Sequence, residues 1–287
     1  MNYLHSQREF WVNPYIRSKN YLIKLKKKVK YQLLLFFLSF LIIGKLKAQE
    51  EDAVPGNEQP VISDLAVPEP APILLDEIVP SLDRDSVRLR LKKIQTSIPL
   101  TFNNTVYSFI HYFTVRNREY SKMVLRRRDV YFPIFERLLK EYDMPDELKY
   151  LAIVESGLNP RARSRAGAVG LWQFVPNTGA YYKLHIDWYI DERQDPEKST
   201  RAACKYLKYL YERFGQWELA LAAYNCGPTF VSRAVKAARN KRDFWEVYYH
   251  LPRETRSYVP QFIAITYLMN HSKEHNLFAE YIESISD

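Results

Sequence analysis

Cysteine is nearly missing from this 287-residue chain: there are two, Cys204 and Cys226. That excludes a disulfide-dense scaffold and a cysteine-based zinc site. Neither lies near the end of the apolar run from Leu33 to Ile43, so lipid attachment there is excluded as well. That run is also too short for a comfortable bilayer span, which takes about 20 apolar residues. The six histidines form no pattern that suggests zinc. No recurrence of about 34 residues marks a helical-repeat scaffold. Charge of one sign is lacking too, once the leader is set aside. Residues 1–48 hold 10 Lys+Arg and one acidic residue, Glu9; the rest hold 32 of each sign, so the net charge of +9 resides in the leader. A general nucleic-acid or polyanion-binding function is therefore excluded for the remainder.

What is present is enough for a real core, with 47% hydrophobic and 15% aromatic residues. Lys24, Lys26, Lys27, Lys28 and Lys30 precede the run Leu33 to Ile43. Residues 1–48 are thus expected to be a signal peptide, cut after Ala48, or an uncleaved N-terminal membrane anchor. Residues 49–80 carry six prolines and many acidic residues, and read as an extended linker.

The stretch from Asp143 to Thr178 organises the rest. Asp143 suits an N-cap, Pro145 a first turn, and Asp146 and Glu147 the positive end of a helix dipole. Leu148, Leu151, Ala152 and Glu155 share one face, which places a carboxylate on an apolar stripe. Gly157 reads as a C-cap and Pro160 as a stop, so Glu155 falls in the last turn. Burial and the negative helix end both disfavour its charged form, which suits a general acid near neutral pH. The same placement also suits a structural glutamate paired with an arginine. Gly157, Gly167, Gly170 and Gly179 are half of the chain's eight glycines. Such density permits close approach of backbone to a ligand. Ser164, Gln173 and Asn177 offer neutral hydrogen-bonding groups, and Trp172 and Phe174 offer flat faces. That mixture suits a sugar polymer.

Glu155-Ser-Gly-Leu-Asn-Pro, Ser164, Gly167-Ala-Val-Gly-Leu-Trp-Gln-Phe and Ala223-Tyr-Asn-Cys-Gly-Pro fall in a specific order. Together they resemble the lytic murein transglycosylases of the soluble-lytic type, closest to the membrane-bound D subgroup. The resemblance runs from about Val87 to His271. It implies a mainly α fold: a lysozyme-like, goose-type catalytic domain over 131–275, a helical extension over 81–130 and a tail over 276–287. It implies that Glu155 is the catalytic acid/base, cleaving the bond between N-acetylmuramic acid and N-acetylglucosamine to leave 1,6-anhydro ends. It further implies that Ser164 orients an acetamido group and Gln173 binds sugar polar groups. Tyr224 would point its hydroxyl at Glu155, Asn225 would line the groove, and Glu254 would anchor its floor. No cofactor and no metal are expected, and the partner is the peptidoglycan glycan strand. The expected state is a monomer, exported to the periplasm. A hydrolytic muramidase on the same fold and a non-catalytic wall-binding module remain open alternatives.

Several segments keep two readings. Arg126 to Arg128 reads as a solvated helix side. Arg161, Arg163 and Arg165 would meet the carboxylates of stem peptides or simply face solvent. Asp187, Asp191, Glu192 and Asp195 lack the glycine and distal glutamate of an EF-hand loop, so capping and salt bridges are the expected roles. Cys204 and Cys226 lie 11 residues either side of Gly215. In an antiparallel helical hairpin those positions face each other, as a candidate disulfide or as two small buried side chains.

Overall fold

The computed structural model describes residues 78–277, and every regular element among them is helical. The leader, most of the linker and the last ten residues of the tail lie outside the described residues. Helix α1 (Arg84–Ile94) starts where Asp83 accepts the Ser86 N–H at 2.7 Å. Val87 and Leu91 are buried on it, so the helical period decides a stretch that also hints at alternation. Helix α2 (Asn104–His111) is capped by Asn103, whose Oδ1 accepts the Val106 N–H at 3.0 Å. It passes through a π-helical turn, Tyr112–Arg116, into α3.

Helix α3 is continuous from Arg118 to Glu141 and carries Pro133 within it. It therefore crosses residue 130, where the sequence suggests a boundary between extension and catalytic part. The physical reason is shared burial. Val87, Leu91, Val106 and Ile110 belong to the same hydrophobic core as Phe135, Leu151 and Trp172. Asp143 is not an N-cap. It takes a left-handed φ of 55° at the end of α3, where the Met144 N–H closes on Leu139 O at 2.9 Å. A 3-10 turn, Asp146–Tyr150, follows and leads into the short α4 (Leu151–Ser156).

After the loop 157–175 come α5 (Pro176–Tyr181) and a 3-10 turn, Glu192–Gln194. Helix α6 (Pro196–Phe214) is capped by Asp195, which accepts the Lys198 N–H at 2.8 Å. It turns at Gly215 and packs against the returning α7 (Trp217–Cys226). Helix α8 (Pro228–Ala237) and the short α9 (Phe244–Val247) complete that side. The closing helix α10 (Arg253–His271) is buried along most of its length and packs on both α2 and α7. It is also in contact with α4.

Cys204 and Cys226 are both free, so no bridge joins α6 to α7. Cys204 is wholly buried, and burial pushes its thiol up to about 12. Cys226 lies at the end of α7, where its Sγ meets Gly227 O at 3.8 Å. Of the two readings, small packed thiols is the one observed. Among the described residues no helix is long and apolar enough to cross a membrane.

Candidate active site

Glu155 sits one residue from the end of α4, and Gly157 ends that helix in the left-handed region with φ 58°. A Cβ at Gly157 would approach the Tyr120 ring at 3.2 Å, so space and backbone both favour glycine there. The helix end is held from three sides. Tyr120 Oη donates to Ile153 O at 3.2 Å, Ser156 Oγ to Leu171 O at 3.0 Å, and Arg127 Nη1 to Gly157 O at 2.9 Å. Arg127 is therefore not a solvated side chain, while its neighbour Arg126 is.

The Glu155 carboxyl is half-buried, and Tyr258 on α10 donates its hydroxyl to Oε1. Burial raises its pKa from 4.5 to about 7. The Tyr258 hydrogen bond opposes that rise, and the negative charge of Glu254 adds to it. Tyr258 itself is buried, and desolvation together with the neighbouring carboxylate holds its phenol well above 10. Glu254 stands one turn before Tyr258 and is exposed. It acts on Glu155 as a second charge.

The loop 157–175 leaves the end of α4 and is tied back to it where Ser156 meets Leu171 O. Gly170 has φ 90°, and a Cβ there would sit 1.9 Å from Arg193 O, so this position admits glycine alone. Arg193 is 4% exposed and bridges two segments. Its Nε and Nη2 donate to Asp191 at 2.8 Å, and its Nη1 donates to Gly167 O at 2.9 Å and Phe174 O at 3.0 Å. The acidic loop thus holds salt bridges and caps, and no group of three or more His, Cys, Asp or Glu among the described residues can hold a metal ion. His271 and His275, four residues apart, bond instead to Glu274 and Tyr267.

Ser164 is exposed, and its Oγ accepts the Ala168 N–H at 3.0 Å. Gln173 has a left-handed φ of 49°, and its Nε2 donates to Gly170 O at 2.9 Å and Ala162 O at 3.2 Å. Tyr224 does not bond to Glu155. Its hydroxyl donates to Trp172 O at 2.7 Å, because α7 aims it at the loop backbone. Asn225 Oδ1 accepts from Thr255 Oγ1 at 2.8 Å, which ties α7 to α10. Trp172 and Phe174 offer no flat face to a ligand, since both are buried. Trp172 donates its Nε1–H to Thr200 Oγ1 at 2.8 Å. Phe174 joins Tyr182, Tyr206 and Tyr224 in a ring cluster with neighbouring centroids 5.2 to 6.5 Å apart. Arg161, Arg163 and Arg165 are exposed on the loop.

Tyr258 stands one helical turn after Glu254, and that spacing gives no sign of a contact with Glu155. Its role as donor to Glu155 needs a pairing 103 residues apart in the chain. Glu218 is a second buried acid. It is buried on α7, its pKa is raised to about 7 by burial, and it accepts the Trp245 Nε1–H at 3.1 Å. Its signal in the sequence is a lone acid in the apolar run Trp217 to Ala223. It holds α9 to α7, so a raised pKa alone does not mark a reaction centre.

Residues 132–246 match the family model described as "Transglycosylase SLT domain". The chain is 39% identical over 167 residues to the "Membrane-bound lytic murein transglycosylase D" of Escherichia coli (strain K12), covering 57% of this chain and 36% of that protein. It is 29% identical over 170 residues to the "Soluble lytic murein transglycosylase" of the same strain, covering 57% and 26%. It thus spans about a third of the length of the first of these relatives and about a quarter of the second. Among solved structures, the 70 kDa soluble lytic transglycosylase of Escherichia coli aligns with a TM-score of 0.44 at 23% identity, over 62% of this chain and 32% of that one. Its complex with bulgecin A aligns with a TM-score of 0.45 at 24% identity, over 64% and 33%.

Proposed function

We propose that this chain, which carries a transglycosylase SLT domain over residues 132–246, cleaves the β-1,4 bond between N-acetylmuramic acid and N-acetylglucosamine in peptidoglycan. Glu155 is the single acid/base, and the product is a 1,6-anhydro end. The observation that carries this reading is a half-buried carboxyl that keeps its proton up to about pH 7, held at a helix end by Tyr258. A group poised there can both give and take a proton at neutral pH.

Glu155 protonates the oxygen of the leaving sugar. The acetamido group of the substrate stabilises the positive charge that develops at C1, as in substrate-assisted glycosidases. Glu155, now a carboxylate, takes the proton from the C6 hydroxyl, which closes the anhydro ring. Ser164, whose oxygen already accepts from Ala168, has its O–H left to donate to the acetamido carbonyl. Gln173 has its amide N–H groups committed to the loop and its Oε1 left to accept from sugar N–H or O–H groups. Asn225 lends an amide N–H on the α7 side, and Tyr224 acts through the loop carbonyl it holds. The chain acts as a monomer outside the cytoplasm, in the periplasm, with its N-terminal segment as signal or anchor.

A hydrolytic outcome rests on one observation, the second carboxylate of Glu254 close enough to raise Glu155. Digestion of purified sacculi followed by mass measurement separates the two, because an anhydro end lacks one water. Glu155→Gln should lower turnover by about 10²- to 10⁴-fold. Retention of most of the activity would remove Glu155 from the mechanism, and no turnover by the parent chain would leave only a binding module.

A further inference from the structure

Large side chains stand almost free of the fold at one turn between α5 and α6. Trp188 is 94% exposed, Tyr189 91% and Ile190 55%. A soluble fold rarely spends an indole, a phenol and a branched aliphatic side chain together on water. The backbone beneath them is fixed. Asp187 Oδ1 accepts the N–H groups of Tyr189 and Ile190, both at 2.7 Å. The Asp187 N–H returns to Ile190 O at 2.8 Å, and His185 Nε2 stands 2.7 Å from Asp187 Oδ2. Ile186 pairs with Asp191 as an isolated bridge. The rings are thus presented on a preformed tip, which lowers the ordering cost of binding.

The tip is continuous with the candidate active site. Asp191, at its base, grips Arg193, and Arg193 holds Gly167 O and Phe174 O of the loop that carries Ser164 and Gln173. Its charge selects the partner. Residues 185–195 carry four acids, Asp187, Asp191, Glu192 and Asp195, against one base, Arg193. The flanking cations do not reverse this: residues 183–198 carry five acids, with Glu197 added, against three bases, Lys183, Arg193 and Lys198, and Lys198 is engaged by Glu192. An anionic lipid surface or the carboxylates of a stem peptide would be repelled. A neutral amino-sugar chain would not, and its ring C–H faces stack on aromatic planes.

We propose that Trp188 and Tyr189 form a docking platform for the glycan strand, outside the cleavage site, that holds polymer by stacking on sugar rings. This rests on the reading of the chain as an enzyme of glycan strands and adds a second contact region to it. The platform matters for long or insoluble strands and not for short ones that fill the cleavage site alone.

The test uses the full chain. Co-sedimentation with purified sacculi is measured in a Glu155→Gln background, so that nothing is digested. Adding Trp188→Ala and Tyr189→Ala should weaken binding about tenfold. Trp188→Phe with Tyr189→Phe keeps flat faces and should bind as the parent does. With Glu155 intact, the double alanine variant should cleave a short soluble strand at the parental rate. Unchanged sedimentation of the alanine variant would overturn the proposal. So would equal loss in the phenylalanine variant, or equal loss of cleavage on short and long strands. Sedimentation of the parent with phosphatidylcholine or phosphatidylglycerol vesicles, abolished by the alanine pair, would reassign the tip to a membrane. Sacculus binding that depends on the two rings without any cleavage would sink the enzymatic reading and leave the platform standing.

Discussion

Glu155→Gln should make the folded chain more stable at pH 8 and leave its stability at pH 4 unchanged. The folded carboxyl holds its proton up to about pH 7, whereas an unfolded one loses it near 4.5. Between those values the folded state binds more protons, so stability falls as pH rises, and the whole cost is present above about 7. Below 4.5 both states are protonated and no cost remains. At about 1.4 kcal/mol for each tenfold change in proton affinity, the rise corresponds to about 3 kcal/mol. Water reaches part of this half-buried group, and a cost of about 1–3 kcal/mol is the fair range. Glutamine keeps an oxygen to accept from Tyr258 and carries no charge, so it escapes that cost. For a domain of this size the gain is about 2–4 °C in Tm per kcal/mol. Melting curves of parent and variant at pH 4, 6 and 8, followed by circular dichroism, give the comparison. Glu218 has a similarly raised pKa but is present in both proteins and cancels. A variant that melts below the parent at pH 8, or by the same margin at every pH, would refute the account of Glu155 as a strained acid.

Two further substitutions should move the alkaline limb of the pH–rate profile in opposite directions. Tyr258→Phe removes a donor that lowers the Glu155 pKa, so the limb moves up; Glu254→Gln removes a charge that raises it, so the limb moves down. Shifts of the same sign in steady-state rates on sacculi would contradict the geometry. Gly170→Ala meets the Arg193 carbonyl oxygen at 1.9 Å in a left-handed backbone, and should cost about 2–5 kcal/mol in denaturant unfolding. Arg193→Ala removes the ion-pair partner of Asp191 and the side-chain donor to Gly167 O, while Phe174 O keeps the Val169 N–H at 3.1 Å, a loss of about 3–5 kcal/mol by the same measurement. A loss under about 1 kcal/mol would put the bond between the two loops in doubt.

Much of the local structure is legible from short-range chemistry. The apolar spacing up to Glu155, the stop at Gly157 and the hairpin around Gly215 all appear where the pattern puts them. These features depend on period, capping and left-handed backbone, which neighbouring residues settle among themselves. Asp143 shows where that logic runs out. An aspartate before a proline suits the start of a helix, but packing of α3 continues to Glu141 and uses Asp143 to end it. Trp172 shows the same limit at the site, since its flat face is taken by Phe135, 5.1 Å away between centroids, and not by a ligand.

The sequence by itself determined that a carboxylate lies on an apolar helix face among scarce glycines, because that needs only residue type and spacing. Tertiary structure alone decided which hydroxyl meets it. Tyr224 and Tyr258 both carry phenols toward this region, and only the relative placement of α7 and α10 sends one to Trp172 O and the other to Glu155. It also decided that Glu254, remote in sequence, acts on the same proton. Electrostatic coupling depends on distance through space and on the water excluded between charges, and neither is written in the order of residues.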